Sequence, residues 1–375
     1  MTPPTRTRLP GVDLARGLAV LGMFVAHLGD EGPDGGPDPA WFAVFDGRSA
    51  ALFAFLAGVS IGLMSGGGRM PDPATVRRTR VVVAVRAAVL FPLGLVLVLL
   101  QTPVLVILPA YAAMFLLMLP VIGWRPAHLV TAASVVVVVV PTLVALATTP
   151  LGGADQSLLG RLTGLEEPPE IPGDVLLTGP YPALLWVAYL MAGLAVARWD
   201  LASARTQRAL VFVGLVLTIL TWRITRFGEA AAGPDPSPLE TRLLRADPHD
   251  YSTPEVLGNL GTALGVLGAC LLVTTLSNAA GRAVTALTAP VRAVGAMSLS
   301  VYSIHIVAIA VLGNDVVWYP ESNAVLGWFI VTALAGAWAW RATLGQGPLE
   351  RALRGASEAT AGPREPAVDE RRLHG

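Results

Sequence analysis

Ten apolar runs, most of them near the length a helix needs to cross a bilayer, divide this chain of 375 residues. They lie at about 14–29, 49–65, 81–101, 103–122, 127–149, 181–198, 209–226, 255–278, 292–313 and 324–341. A hydrocarbon core takes roughly 20 apolar residues in a helix. Composition agrees: the chain is 54% hydrophobic and 14% charged, where a soluble domain is about a quarter charged. The 30 prolines and 39 glycines do not signal disorder, because long apolar runs separate them. The expected fold class is all-α: a polytopic integral membrane helix bundle of about ten transmembrane helices. The first run opens with Asp13 and Arg16 and no A-x-A-like site follows it, so it reads as a retained span.

The charged residues give the expected orientation. All 26 basic residues are arginine, and 26 acids cancel them. Zero net charge excludes a protein driven onto nucleic acid by a basic field. The single cysteine, Cys270, excludes an intramolecular disulfide framework and a multi-cysteine zinc site, and no metal ligand cluster is visible. With the N-terminus inside and alternating spans, six arginines fall outside: Arg48, Arg161, Arg223, Arg226, Arg242 and Arg245. The rest are cytoplasmic, which by the positive-inside rule puts both termini in the cytoplasm. The long outer loops, about 30–48, 150–180 and 227–254, are rich in proline, glycine and acid, such as Asp34, Glu166 and Asp247. Residues 1–354 read as one transmembrane domain and 355–375 as a disordered cytoplasmic tail. The all-arginine, Ala/Val-rich composition suggests a GC-rich bacterial genome, hence a multi-pass protein of the bacterial cell (inner) membrane.

The first two spans are short. His27 lies about 16 Å beyond Arg16 along a helix, near the middle of a core about 30 Å thick. The following Gly29-Asp30-Glu31-Gly32-Pro33 is not helical in character. It must be buried in protein or line a wet cavity, unless the bilayer thins locally. Helical phase brings Asp13, Arg16 and His27 to one face. Ionisable groups in a span face the bundle interior and mark a site or pathway. The plainer alternative makes Asp13 and Arg16 an edge pair and His27 an interfacial histidine.

In the ninth run Ser298, Tyr302 and His305 form one stripe, either interhelical glue or part of a site. His305 is the other histidine expected at membrane depth, with His128 at an edge, His249 in a loop and His374 in the tail. Arg48 opens span two from outside and either snorkels or meets His27. Arg80 and Arg86 enter span three from the cytoplasm, where Arg86 either cradles a phosphate or snorkels. The Gly58-Val59-Ser60-Ile61-Gly62 match to a nucleophile elbow is discounted, since that motif needs a strand–turn–helix. Its small residues, like Gly261 and Gly265, suit close helix packing.

The run Gly11-Val12-Asp13-Leu14-Ala15-Arg16-Gly17-Leu18-Ala19, with His27 beyond it, resembles the first span of the transmembrane acyltransferase superfamily. That group includes the acyltransferase family 3 proteins, the heparan-α-glucosaminide N-acetyltransferases and the YeiB-like proteins. Asp13, Arg16 and His27 fit the Asp, Arg and His spacing of acyltransferase family 3. YeiB-like and glucosaminide acetyltransferase members tend to have Asn at the place of His27. Phe45-Asp46-Gly47-Arg48-Ser49-Ala50-Ala51-Leu52-Phe53, Leu56-Ala57-Gly58, Gly193, the stripe in span nine and Gly347-Pro348-Leu349-Glu350 also look YeiB-like.

The resemblance implies acyl transfer across a membrane. Cytoplasmic acyl-CoA, acetyl-CoA foremost, serves as co-substrate, and a hydroxyl or amine of a glycan, lipid-linked or small acceptor arrives from outside. The residues expected to carry it are His27, His305 and Arg48 for catalysis and Arg16, Arg80 and Arg86 for acyl-CoA. A neutral His27 imidazole can act as general base or carry the acyl group itself. Membrane lipid is the expected surrounding, and a homo-oligomer is compatible. Two other classes fit the residues: a membrane carrier or flippase for an anionic or lipid-linked solute, and a scaffold without chemistry.

Overall fold

The computed structural model describes residues 9–30, 32, 40–148, 174–232, 240, 243–244, 246, 248–276, 278–318, 320 and 322–362. Every expected apolar run is helical, and among the described residues there is no strand. The main helices are α1 (Pro10–Leu28), α2 (Arg48–Met64), α3 (Pro73–Val98), α4 (Leu108–Met118), α5 (Pro126–Thr148) and α6 (Ala183–Val196). They continue with α7 (Ala204–Ala232), α8 (Thr253–Thr275), α9 (Ala289–Ala296), α10 (Ser298–Leu312), α11 (Ala324–Thr343) and α12 (Pro348–Ala361). Glu31, Asp34, Asp38, Arg161, Glu166, Glu167, Glu170, Arg242, Arg245 and Asp247 lie outside the described residues, as does the tail from 363.

Among the described residues six helices are long and apolar enough to cross a membrane, and a seventh if α9 and α10 count as one bent span. Three of the expected spans, α2, α4 and α6, are shorter. Burial explains how they can be. α2 and α6 hide nearly every side chain in the bundle interior, whereas α7 and α11 expose large apolar groups such as Phe212 and Trp328. α7 and α11 thus present an apolar face suited to lipid, whereas the short helices, and the long α1 with them, are enclosed by protein.

Glycines let the inner helices touch. A Cβ on Gly58 of α2 would collide with the Leu190 carbonyl of α6, and one on Gly193 of α6 with the Phe55 carbonyl of α2. The Gly58–Gly62 motif is therefore a packing face inside a helix, as expected. Gly261 of α8 does the same against Thr218 and Gly214 of α7, and a side chain on Gly214 would strike the Gly265 backbone, whereas one on Gly265 would meet nothing.

Two expectations need correction. The ninth run is not one helix: α9 and α10 meet at 86° across Met297. Neither Pro nor Gly stands at the break, so nothing local announced it. In addition, α12 extends to Ala361, so residues 355–361, expected in a disordered tail, are helical.

Candidate active site

The site begins where α1 crosses α9. Pro10 starts α1 at a position where its missing N–H costs nothing. About two turns on, Gly17 and, facing it on α9, Gly295 leave no room for a side chain against the Val291 and Asp13 carbonyls. Arg16 lies in this crossing and donates to Asp13 (3.3 Å), to the Gly295 carbonyl (3.3 Å) and to Ser60 Oγ on α2 (2.8 Å). The Asp-x-x-Arg-Gly run is thus a helix-crossing device as well as a charge pair. Beside it, Arg292, Trp338 and Arg341 line a groove of about 360 Å³ with Asp13.

α1 ends where the sequence predicted. Gly29 turns extended, and its N–H bonds the Val25 carbonyl at 2.8 Å. Asp30 N–H donates to the Asn323 side chain at 3.0 Å, and Trp41 and Phe42 pack over Gly29. The backbone at Leu28 and Gly29 is therefore covered by protein, whereas Gly32 is exposed and Glu31 and Pro33 lie outside the described residues.

His27 and His305 meet across 278 residues of chain, with Nδ1 of His27 2.9 Å from Nε2 of His305. Their planes are 7° apart and the ring centroids 5.2 Å apart. With the nitrogens that close, the rings lie edge to edge and are not stacked face to face. The other nitrogen of His305, Nδ1, meets the Tyr302 carbonyl. A carbonyl only accepts, so for two neutral imidazoles the protons follow. His305 Nδ1–H donates to Tyr302, His27 Nδ1–H donates to His305 Nε2, and the free lone pair lies on His27 Nε2. Phe24 covers the pair, its ring 4.6 Å from that of His305. His305 is buried, whereas His27 keeps intermediate exposure, so the member with the free lone pair is the more accessible one.

The bend at Met297 aims α10 at this pair. Its first turn has unpaired N–H groups, and Glu350 of α12 takes them. Its carboxylate accepts from Leu299 N–H (2.8 Å), Ser300 N–H (3.1 Å) and Ser300 Oγ–H (2.5 Å). A charge of that sign at a helix N-terminus also suits the dipole. Gly347 permits the approach, since a side chain there would overlap Glu350. The Gly347-Pro348-Leu349-Glu350 motif is thus the cap of the helix that carries His305.

The expected arginines part company. Arg86 lies near the middle of α3, with Nε buried and without a hydrogen-bond partner, and Arg16 and Arg354 lie within electrostatic reach. A cation buried within a span, with two further cations acting on it, favours an anion beside it. Arg80 instead donates to the Leu119 (2.8 Å) and Pro120 (3.2 Å) carbonyls at the end of α4. Arg48 stands at the start of α2, where its charge acts on Asp46.

One constellation escaped the sequence reading. Asp46 Oδ1 lies 3.5 Å from His249 Nε2. His249 and Tyr251 both take positive φ, 64° and 57°, which is rare for such residues. Glu255 holds them there, accepting from His249 N–H (2.9 Å) and Tyr251 N–H (2.5 Å). The His249 imidazole beside Asp46 holds that carboxyl below its ordinary range, and Asp46 in turn raises His249. Both charges reach His27. The available signal was Ser252-Thr253-Pro254-Glu255, a capping-box pattern. Ser252 Oγ indeed accepts from Glu255 N–H at 3.1 Å, so the loop just before it is pinned to a helix start.

Residues 8–223, more than half of the chain, match the family described as heparan-alpha-glucosaminide N-acetyltransferase, catalytic. The match takes in Arg16, His27, Arg48, Arg80 and Arg86 and stops short of His249 and His305. No curated protein matches the chain.

Proposed function

Because the chain belongs to the heparan-alpha-glucosaminide N-acetyltransferase catalytic family, we propose that it is an integral-membrane acyltransferase. It moves an acyl group, acetyl foremost, from cytoplasmic acyl-CoA to a hydroxyl or amine of a glycan, lipid-linked or small acceptor at the outer face. The single observation that carries the reading is the His27–His305 pair, with its lone pair on the accessible His27 Nε2. The proposal includes a multi-pass location in a bacterial cell (inner) membrane with both termini cytoplasmic, supported by the arginine distribution.

In this mechanism His27 Nε2 takes the acceptor proton as the acceptor attacks the acyl carbon. The charge that appears on His27 is shared through Nδ1–H with the His305 lone pair, and the Tyr302 carbonyl holds His305 in the required tautomer. A route through an acyl-histidine starts from the same lone pair. Arg86 binds a phosphate of the co-substrate, with Arg16 and Arg80 nearer the cytoplasmic mouth. Arg16 contributes its field while anchored to Asp13 and Ser60, and Arg48 adds a minor favourable charge to the Asp46 carboxylate that His249 chiefly holds.

The test is release of free CoA by the purified full chain in nanodiscs, with acetyl-CoA as donor and glucosamine as probe acceptor. Acceptor-dependent release that disappears in His27→Ala supports the reading. A carrier or scaffold releases no CoA, and that result would sink it.

A further inference from the structure

A buried tyrosine remains outside this scheme. Tyr111 of α4 is 3% exposed, and its hydroxyl has no hydrogen-bond partner. A hydroxyl left unpaired in a bundle interior is costly. Its ring is held against Phe53 of α2 at 5.6 Å and Phe115 at 5.8 Å. Arg16 and the Tyr302 side chain both lie within electrostatic reach of it.

Tyr302 links this group to the histidines. Its ring is 5.2 Å from that of His305. Its Oη accepts from Ile107 N–H at 3.3 Å, just ahead of α4, so its own proton remains to be donated. Tyr111 follows Ile107 by one helical turn, and long side chains lean toward a helix N-terminus. Both hydroxyls therefore belong to the same end of α4, between the Arg16 and His27 levels of the bundle.

We propose that the hydroxyls of Tyr111 and Tyr302 donate to the carbonyl oxygen of the acyl thioester. The inference rests on the acyl-transfer reading above. As the acceptor nitrogen or oxygen bonds to the acyl carbon, the carbonyl π pair moves onto oxygen, where the two O–H groups meet it. When that pair returns, the carbon–sulfur bond breaks and sulfur leaves with its electrons. The proton taken by His27 passes to the thiolate, giving free CoA. Tyr111 then has its partner in the loaded state.

The test is a pair of unreactive analogues bound to the full chain in nanodiscs. Acetonyl-CoA keeps a carbonyl oxygen, and S-ethyl-CoA has none. The wild type is expected to bind acetonyl-CoA about fivefold more tightly, the ratio for one net hydrogen bond. Tyr111→Phe narrows that preference and lowers kcat for CoA release about a hundredfold, as for loss of one oxyanion donor. Its unfolding temperature stays level or rises, because no paired group is lost. Tyr302→Phe also narrows the preference, and it strands Ile107 N–H, so its unfolding temperature falls. Equal binding of both analogues by the wild type, or an unchanged preference and kcat in Tyr111→Phe, overturns this inference and leaves the acyl-transfer reading standing. No binding of either analogue together with no CoA release overturns both.

Discussion

The backbone carbonyl of Asp13 occupies the space where a side chain on Gly295 would stand. That contact sets the spacing of α1 and α9 and brings the Gly295 carbonyl to Arg16. Gly295→Ala must push the two helices apart. The expected cost is about 1–3 kcal/mol, the range for overpacking, read as a lower unfolding temperature in detergent. An unchanged transition would mean that the crossing is looser than its geometry says.

The histidine pair predicts unequal losses. His27→Ala should lower the rate of CoA release by about two to four orders of magnitude, the range for a general base. His305→Ala should cost less, since it orients the base and shares its charge. His305→Gln offers an amide oxygen toward His27 Nδ1–H and should recover part of that loss. Near-full turnover in His27→Ala, with His305→Ala inactive, would reverse the two roles.

Arg86 separates phosphate binding from snorkelling. Arg86→Ala should weaken CoA binding about tenfold or more, in line with loss of a charge-assisted contact. Arg86→Lys should restore only part, because an ammonium cannot reproduce the guanidinium fork. Calorimetry with CoA alone reads the effect without turnover. Equal affinity in wild type and Arg86→Ala would leave the charge with no role in CoA binding.

The Asp46–His249 pair gives a pH dependence whose sign follows from the two shifts. Asp46 is lowered, so its contribution is present above about 3.9 and fades as pH falls through its native value. His249 is raised, so its contribution is complete below about 6.5 and fades as pH rises through its elevated value. The groups facing the pair are Arg48, Glu255, Asp250, Tyr181 and Tyr251. Hydrogen exchange at 248–252 should therefore show the strongest protection between about pH 4 and 6.5. Protection, after correction for intrinsic exchange, should weaken on the alkaline side. Asp46→Asn should abolish this dependence; its persistence in that variant would assign it to Glu255.

The helices were legible because a bilayer-length apolar run has few other solutions, and each expected run became helical, the ninth as two helices. The break at Gly29 was legible for a related reason: a polar Gly/Pro stretch cannot continue a span. His27 and His305 each stood out as a histidine at depth, yet their pairing joins α1 to α10 and leaves no local trace. The bend at Met297 was hidden because its cause is remote, the Glu350 cap and the α1 crossing. Asp46 and His249 carry little signal in the sequence, because each stands in a polar loop about 200 residues from the other. Glu255 pins the loop of His249 where Asp46 meets it. Arg80 was grouped with Arg86 by charge, and only the structure separates a carbonyl clamp from an unpartnered buried nitrogen.

The Glu350 cap has a consequence for assembly order. His27 is among the first residues a ribosome delivers to the membrane, and its partner is about 280 residues later. The helix bearing that partner is synthesised before Glu350, so its leading N–H groups have no such acceptor until α12 is made. At 5–20 residues per second, the interval from His305 to Glu350 lasts a few seconds. During it the two histidines can coexist in one membrane without a settled geometry. The position of α10, and with it the meeting of His305 and His27, is thereby fixed only once the α12 carboxylate is in place.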